Sequence, residues 1–135
     1  MLANLKDILL PAKEEGYAVA CFNVFGFEDS RAVIDAAESR KASVILSINL
    51  DMRQFMTMDQ IIGMLRPMAE SAKVPVCIHL DHTYEVDEVK RAIDSGFNSV
   101  MYDGSQLPIA QNIASIKDVV SYARHKGVSV EAEVG

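Results

Sequence analysis

VPVCIHLDH, residues 74–82, is the stretch whose reading decides the fold. Val74 to Asp81 is a short apolar run of strand length. Successive side chains of a strand point to opposite faces. Val76, Ile78 and Leu80 therefore share one face, and Cys77, His79 and Asp81 share the other. The first face is wholly apolar and suits packing under helices. The second becomes polar toward its C-terminal end, where Asp81 and His82 close the run.

Working outward, the same kind of run recurs at Ala18–Val24, Ser43–Asn49, Asn98–Asp103 and Val128–Val134. Segments of helical periodicity lie before and between them, near 4–15, 28–40, 58–72, 84–95 and 109–126, with Gly96 and Gly127 as stop signals after the last two. Strand–helix alternation with short links predicts parallel strands joined by crossover helices in one domain spanning 1–135. Cys21 and Asn23 share a face of the first strand, Ile45, Ser47 and Asn49 of the second, Ser99, Met101 and Asp103 of the fourth, and Ser129, Glu131 and Glu133 of the fifth. Each strand thus carries polar groups on one face, mostly near its C-terminal end. That is the demand of a TIM (β/α)8 barrel, whose site lies at the C-terminal mouth. The chain then covers an N-terminal helix and about the first five strands. A doubly wound open sheet is the rival, but its strands are apolar on both faces.

Composition narrows the function. The 135 residues are 50% hydrophobic and 24% charged, ordinary for a globular domain. A net charge of −6 argues against nucleic acid as a partner. An anionic substrate would need a locally built site, from a metal, backbone N–H groups or a few placed cations. No leader and no apolar run near the roughly 20 residues of a membrane span is evident, so the expectation is a cytoplasmic protein without a membrane partner. Cys21 and Cys77 lie in apolar runs and read as buried free thiols.

Asp81, His82, Asp103 and Glu133 all fall at strand ends. Neighbouring strands lie about 4.8 Å apart, so these groups can converge within reach of one metal ion. Zinc accepts imidazole nitrogen and carboxylate oxygen, and several carboxylates inside a barrel are costly without a cation. Taken singly, each has a plainer role: His82 as a loop histidine, Asp103 as a turn residue before Gly104, Glu131 and Glu133 on a solvated edge. His79 lies deeper in its strand and reads as a core histidine, and His125 at a helix end reads as surface.

Three ordered segments carry a resemblance. VPVCIHLDH (74–82) resembles the leucine–aspartate–histidine motif of class II, zinc-dependent ketose-bisphosphate aldolases. GFNSVMYDGSQLPIAQNI (96–113) resembles that family's second motif, and VSVEAEVG (128–135) its valine–glutamate–x–glutamate–x–glycine segment. CFNVFGFEDSRAVIDAAE (21–38) is similar to its first strand and helix, so the similarity runs along the chain, which then corresponds to the N-terminal half of a barrel. Within the family the sequence resembles the fructose- and tagatose-bisphosphate aldolases.

The resemblance implies reversible aldol cleavage of a ketose 1,6-bisphosphate to dihydroxyacetone phosphate and glyceraldehyde 3-phosphate. It implies a zinc cofactor held by His82 with Asp103 and Glu133, Asp81 as the acid–base, Asn23 and Asn49 toward the sugar phosphate, and a homo-oligomer. Asn49 and Thr83 depart from the family pattern, where serine and a small residue are usual, which leaves the sugar open. The family's remaining zinc histidines, acidic loop and phosphate-binding loops fall beyond residue 135, so the chain alone is expected to be inactive, with free edges at Ala18–Val24 and Val128–Val134. Alternatives are another sugar phosphate, a lysine Schiff-base aldolase, and a non-catalytic half-barrel module. The predicted strands contain no interior lysine, which disfavours the Schiff base.

Overall fold

The computed structural model describes residues 1–135. In chain order the elements are α1 (Leu5–Glu15), β1 (Ala20–Asn23), α2 (Phe27–Arg40), β2 (Val44–Ile48), α3 (Leu50–Arg53), α4 (Met58–Ser71), β3 (Val76–Thr83), α5 (Val86–Ser95), β4 (Ser99–Tyr102), α6 (Ile109–Arg124) and β5 (Ser129–Ala132). All five strands are parallel and lie in sequential order β1-β2-β3-β4-β5. Sequential order leaves no reversal in the sheet, the feature that organises a doubly wound fold. The α/β expectation therefore holds, as an open five-stranded sheet rather than a closed barrel. No helix is long and apolar enough to cross a membrane.

Local chemistry explains the boundaries. Asn4 accepts a hydrogen bond from the Asp7 N–H at 3.0 Å and starts α1, which ends at Gly16 in the left-handed region (φ 75°). Thr57 and Gln60 form a reciprocal capping box at the start of α4. Gly96 (φ 109°) stops α5 and frees the chain to enter β4. The short helix α3 was not expected; Asn49 creates it by accepting from the Asp51 and Met52 N–H groups.

The strand register confirms the face assignments made from parity. Asn23, Ser47, His79, Ser99 and Ser129 stand in one row across all five strands, and Cys21, Ile45 and Cys77 in the row below on the first three. On the opposite face Leu46, Ile78, Leu80 and Val100 are fully buried with Ile34, Ile61, Leu65, Val89 and Val119 from the helices and Phe97 from the link after α5, forming the main core. Helix α1 seals the lower part of the polar face, where Leu5 and Ile8 pack on Ile45 and Cys77.

One composition reading needs correction. Cys77 is buried, and burial pushes its thiol up to about 12, but Cys21 is exposed. The reason is position: β1 is an outer strand, and all four of its residues are exposed. Apolar residue type predicted burial, whereas the place in the sheet decided it.

Candidate metal and active site

The site is set by an irregularity in β3. Leu80 pairs with Val100 and Thr83 with Tyr102, so Asp81 and His82 together oppose the single residue Met101. This is a β-bulge, which adds one residue to one strand and re-aims the side chains at that point. Strict alternation would put Asp81 on the polar face and His82 on the helix-covered face. The extra residue lets both reach the C-terminal end of the polar face. It also returns Thr83 to the core side, where it is fully buried and its hydroxyl donates to the Asp81 carbonyl at 3.0 Å. Thr83 is therefore a packing residue at the end of β3.

Around the bulge three strand ends meet. His82 Nδ1 lies 2.8 Å from Asp103 Oδ2, just beyond β4, and 3.8 Å from Glu133 Oε2, just beyond β5. One donor atom each from His82, Asp103 and Glu133 falls within 4.8 Å of the others. One imidazole and two carboxylates at this spacing fit a zinc ion by donor type and number. Asp103 is buried; its backbone N–H donates to the Thr83 carbonyl and its Oδ1 accepts the Ser105 N–H at 3.0 Å. The hydrogen bond to Asp103, then the charges of Asp81, Asp103 and Glu133, raise the His82 pKa above the ordinary histidine value. Asp103 is lowered in turn, first by its bond to Ser105 and also by His82. The surrounding carboxylates thus favour a positive charge at the His82 imidazole.

Asp81 stands beside this cluster, in a cleft of about 390 Å³ that it lines with Asn23, Asn49, His82 and Tyr84. Asn23 and Asn49 both line this cleft, and the Asn49 side-chain oxygen is already engaged in capping α3. Below lies a second polar layer. His79 is buried, its Nδ1 is 2.7 Å from Ser99 Oγ, and its Nε2 is 3.4 Å from Glu131 Oε2. Burial drives the His79 pKa down to about 4, so it is neutral and structural, as its depth in the strand predicted. Desolvation and the nearby Asp81 charge raise Glu131. His125 is exposed at the end of α6. None of the five strands contains a lysine.

Two residues around the site were not read from the sequence. Arg53, in α3, donates from Nη2 to the His82 carbonyl at 3.1 Å and from Nη1 to Glu88 Oε1 at 2.8 Å. Asn112, buried in the first turn of α6, donates from Nδ2 to the Glu133 carbonyl at 2.8 Å. Both act on backbone carbonyls of the cluster residues. Backbone contacts leave no pattern of chemically matched side chains in a sequence.

The chain is also similar to known proteins along its length. Residues 3–135 match the family model described as class-II fructose-bisphosphate aldolase. The chain is 40% identical over 139 residues to a fructose-bisphosphate aldolase of Staphylococcus aureus, covering 99% of this chain and 48% of the relative. It is 44% identical to a 6-phospho-5-dehydro-2-deoxy-D-gluconate aldolase of Halalkalibacterium halodurans, covering 99% and 48%. Among solved structures it superposes on the YdjI aldolase from Escherichia coli K12 with a TM-score of 0.94 at 36% identity, covering 100% of this chain and 53% of that one. The chain spans about half the length of the curated relatives it matches.

Proposed function

The chain belongs to the class-II fructose-bisphosphate aldolase family, and from that premise we propose that it supplies the first half of the active site of a zinc-dependent aldolase built on a (β/α)8 barrel. The observation that carries this reading is the meeting of His82, Asp103 and Glu133 beside Asp81 at the ends of three neighbouring parallel strands. The reaction is the reversible aldol cleavage of a ketose 1,6-bisphosphate of the fructose or tagatose type to dihydroxyacetone phosphate and glyceraldehyde 3-phosphate. The protein acts in the cytoplasm as a homo-oligomer.

His82, with Asp103 and Glu133, would hold the zinc. A bound zinc would supply Lewis-acid polarisation of the ketose carbonyl. Asp81 is the catalytic residue of this half: its carboxylate accepts the C4 hydroxyl proton as the C3–C4 bond breaks, and returns it in the condensation direction. Asn23 and Asn49, in the same cleft, orient the sugar phosphate. Asp103 fixes the direction of the His82 ring through their hydrogen bond.

A second substrate reading has its own support. Relatives named 6-phospho-5-dehydro-2-deoxy-D-gluconate aldolase are 42% and 44% identical to the chain, as similar as those named for fructose bisphosphate. One experiment addresses both. Residues 1–135 replace the matching half of the Staphylococcus aureus relative, and the chimera is assayed on fructose and tagatose bisphosphates and on the deoxygluconate phosphate. Cleavage that needs zinc and stops with chelator is expected, and the preferred substrate assigns the sugar. Chelator-resistant cleavage, or a lysine adduct trapped by borohydride, would overturn the zinc reading. A folded chimera that cleaves none of the three would favour a non-catalytic module.

A further inference from the structure

The bulge that carries Asp81 and His82 is held from outside the site. A bulge leaves its extra residue without regular ladder partners, and buried backbone carbonyls require donors. Here two side chains provide them: the Thr83 hydroxyl for Asp81 and the Arg53 guanidinium for His82. The Arg53 side chain is only 7% exposed, although arginine is among the residues least often buried. Burial lowers its pKa, and the Glu88 and Asp81 charges act against that shift. One face of its fork meets Glu88 in α5 at 2.8 Å, and Nη2 meets the His82 carbonyl at 3.1 Å. Arg53 itself is placed by α3, the four-residue helix that Asn49 starts at the end of β2. The end of β2, the bulge of β3 and the first turn of α5 are thereby joined through one guanidinium.

We propose that Arg53 is a positioning residue of the site: by gripping the His82 carbonyl it holds the bulge in the register that presents the His82 imidazole to Asp103 and Glu133. This rests on the reading of His82 as a site residue, but it concerns the backbone and can be tested without metal or substrate. A lysine has one compact head and cannot serve Glu88 and the carbonyl with the same fork. A residue that merely tied α3 to α5 would act through Glu88 alone.

The test compares Arg53→Met, Arg53→Lys and Glu88→Gln in the 135-residue chain by amide hydrogen exchange and by the 15N shift of the His82 imidazole. The Asp103 N–H, which donates to the Thr83 carbonyl next to the bulge, is the reporter, and the Val100 N–H in the same strand is the internal control. Arg53→Met is expected to speed Asp103 exchange at least about tenfold relative to Val100 and to move the imidazole shift. Arg53→Lys should fall between, and Glu88→Gln should stay near the parent. If Arg53→Met does not fold, the contrast between Arg53→Lys and Glu88→Gln decides. Equal effects of those two, or unchanged Asp103 exchange in Arg53→Met, would overturn the proposal. Cobalt titration of the same substitutions in the chimeric barrel separates this from the metal reading. A parent that binds no Co2+ counts against the zinc site, while the exchange data still judge Arg53. With a binding parent, loss of a positioning contact is expected to weaken Co2+ by about 10–100-fold.

Discussion

His82 and Asp103, 21 residues apart, are joined by a 2.8 Å contact between Nδ1 and Oδ2 that links the bulge of β3 to the end of β4. The bond favours a cationic imidazole beside an anionic carboxylate, and both pKa shifts have that direction. Because the His82 pKa is raised, its contribution to stability is fully present below the ordinary histidine pKa of about 6.5. It is lost as pH rises through the folded value. Because the Asp103 pKa is lowered, its contribution is present above about 4 and lost as pH falls through the folded value.

Asp103→Asn should therefore lower the His82 midpoint in an NMR titration. It should also weaken zinc binding, and His82→Ala should remove most bound zinc by elemental analysis. An unchanged His82 midpoint in Asp103→Asn would show that the contact does not govern the ring, and unchanged zinc in His82→Ala would remove His82 from the ligand set.

Asp81→Asn keeps the side-chain volume and loses the proton acceptor. Tested in the chimeric barrel, it should retain zinc and the thermal midpoint while turnover falls by about 10²–10⁴-fold. Near-normal cleavage would exclude Asp81 as the acid–base.

His79 makes acid stability testable. Its folded pKa is about 4 against an unfolded value near 6.5, so the unfolded chain binds the proton first as pH falls. The burden is absent above about pH 6.5, grows below it, and reaches about 3 kcal/mol near pH 4. Glu131 at 3.4 Å and the charges of Asp81 and His82 face the same ring. The difference in urea midpoint between parent and His79→Asn should shift in favour of the variant between pH 7 and pH 5. A constant difference across that range would mean that His79 does not titrate as a buried neutral group.

Gly104 is constrained by contact, not by its backbone angle. A Cβ there would lie 2.1 Å from Asn112 Oδ1 and 2.5 Å from its Cγ. Gly104→Ala should push Asn112 off the Glu133 carbonyl and cost about 1–3 kcal/mol in chemical denaturation. Adding Asn112→Ala should recover part of that loss, since the two residues are coupled. Full stability of Gly104→Ala would show that the Asn112 side chain is free to move.

Much of this protein was legible in one dimension. Alternating apolar strand runs and amphipathic helices located all five strands to within two residues at each end, because burial of one sheet face imposes a period of two on residue type. The same parity placed Asn23, Ser47, His79 and Ser99 on one face, and the register puts them in one row. The motifs around Asp81, His82, Asp103 and Glu133 were readable because charged groups at strand ends stand out against apolar runs. What parity could not supply was His82 itself: alternation assigns it to the core, and only the bulge opposite Met101 turns it to the site. The exposure of Cys21, the capping role of Asn49, the burial of Thr83 and the grip of Arg53 and Asn112 on two carbonyls were likewise decided by tertiary structure. Each depends on which backbone group or neighbouring strand lies beside the side chain, and that neighbour comes from a distant part of the chain or from a break in the regular period.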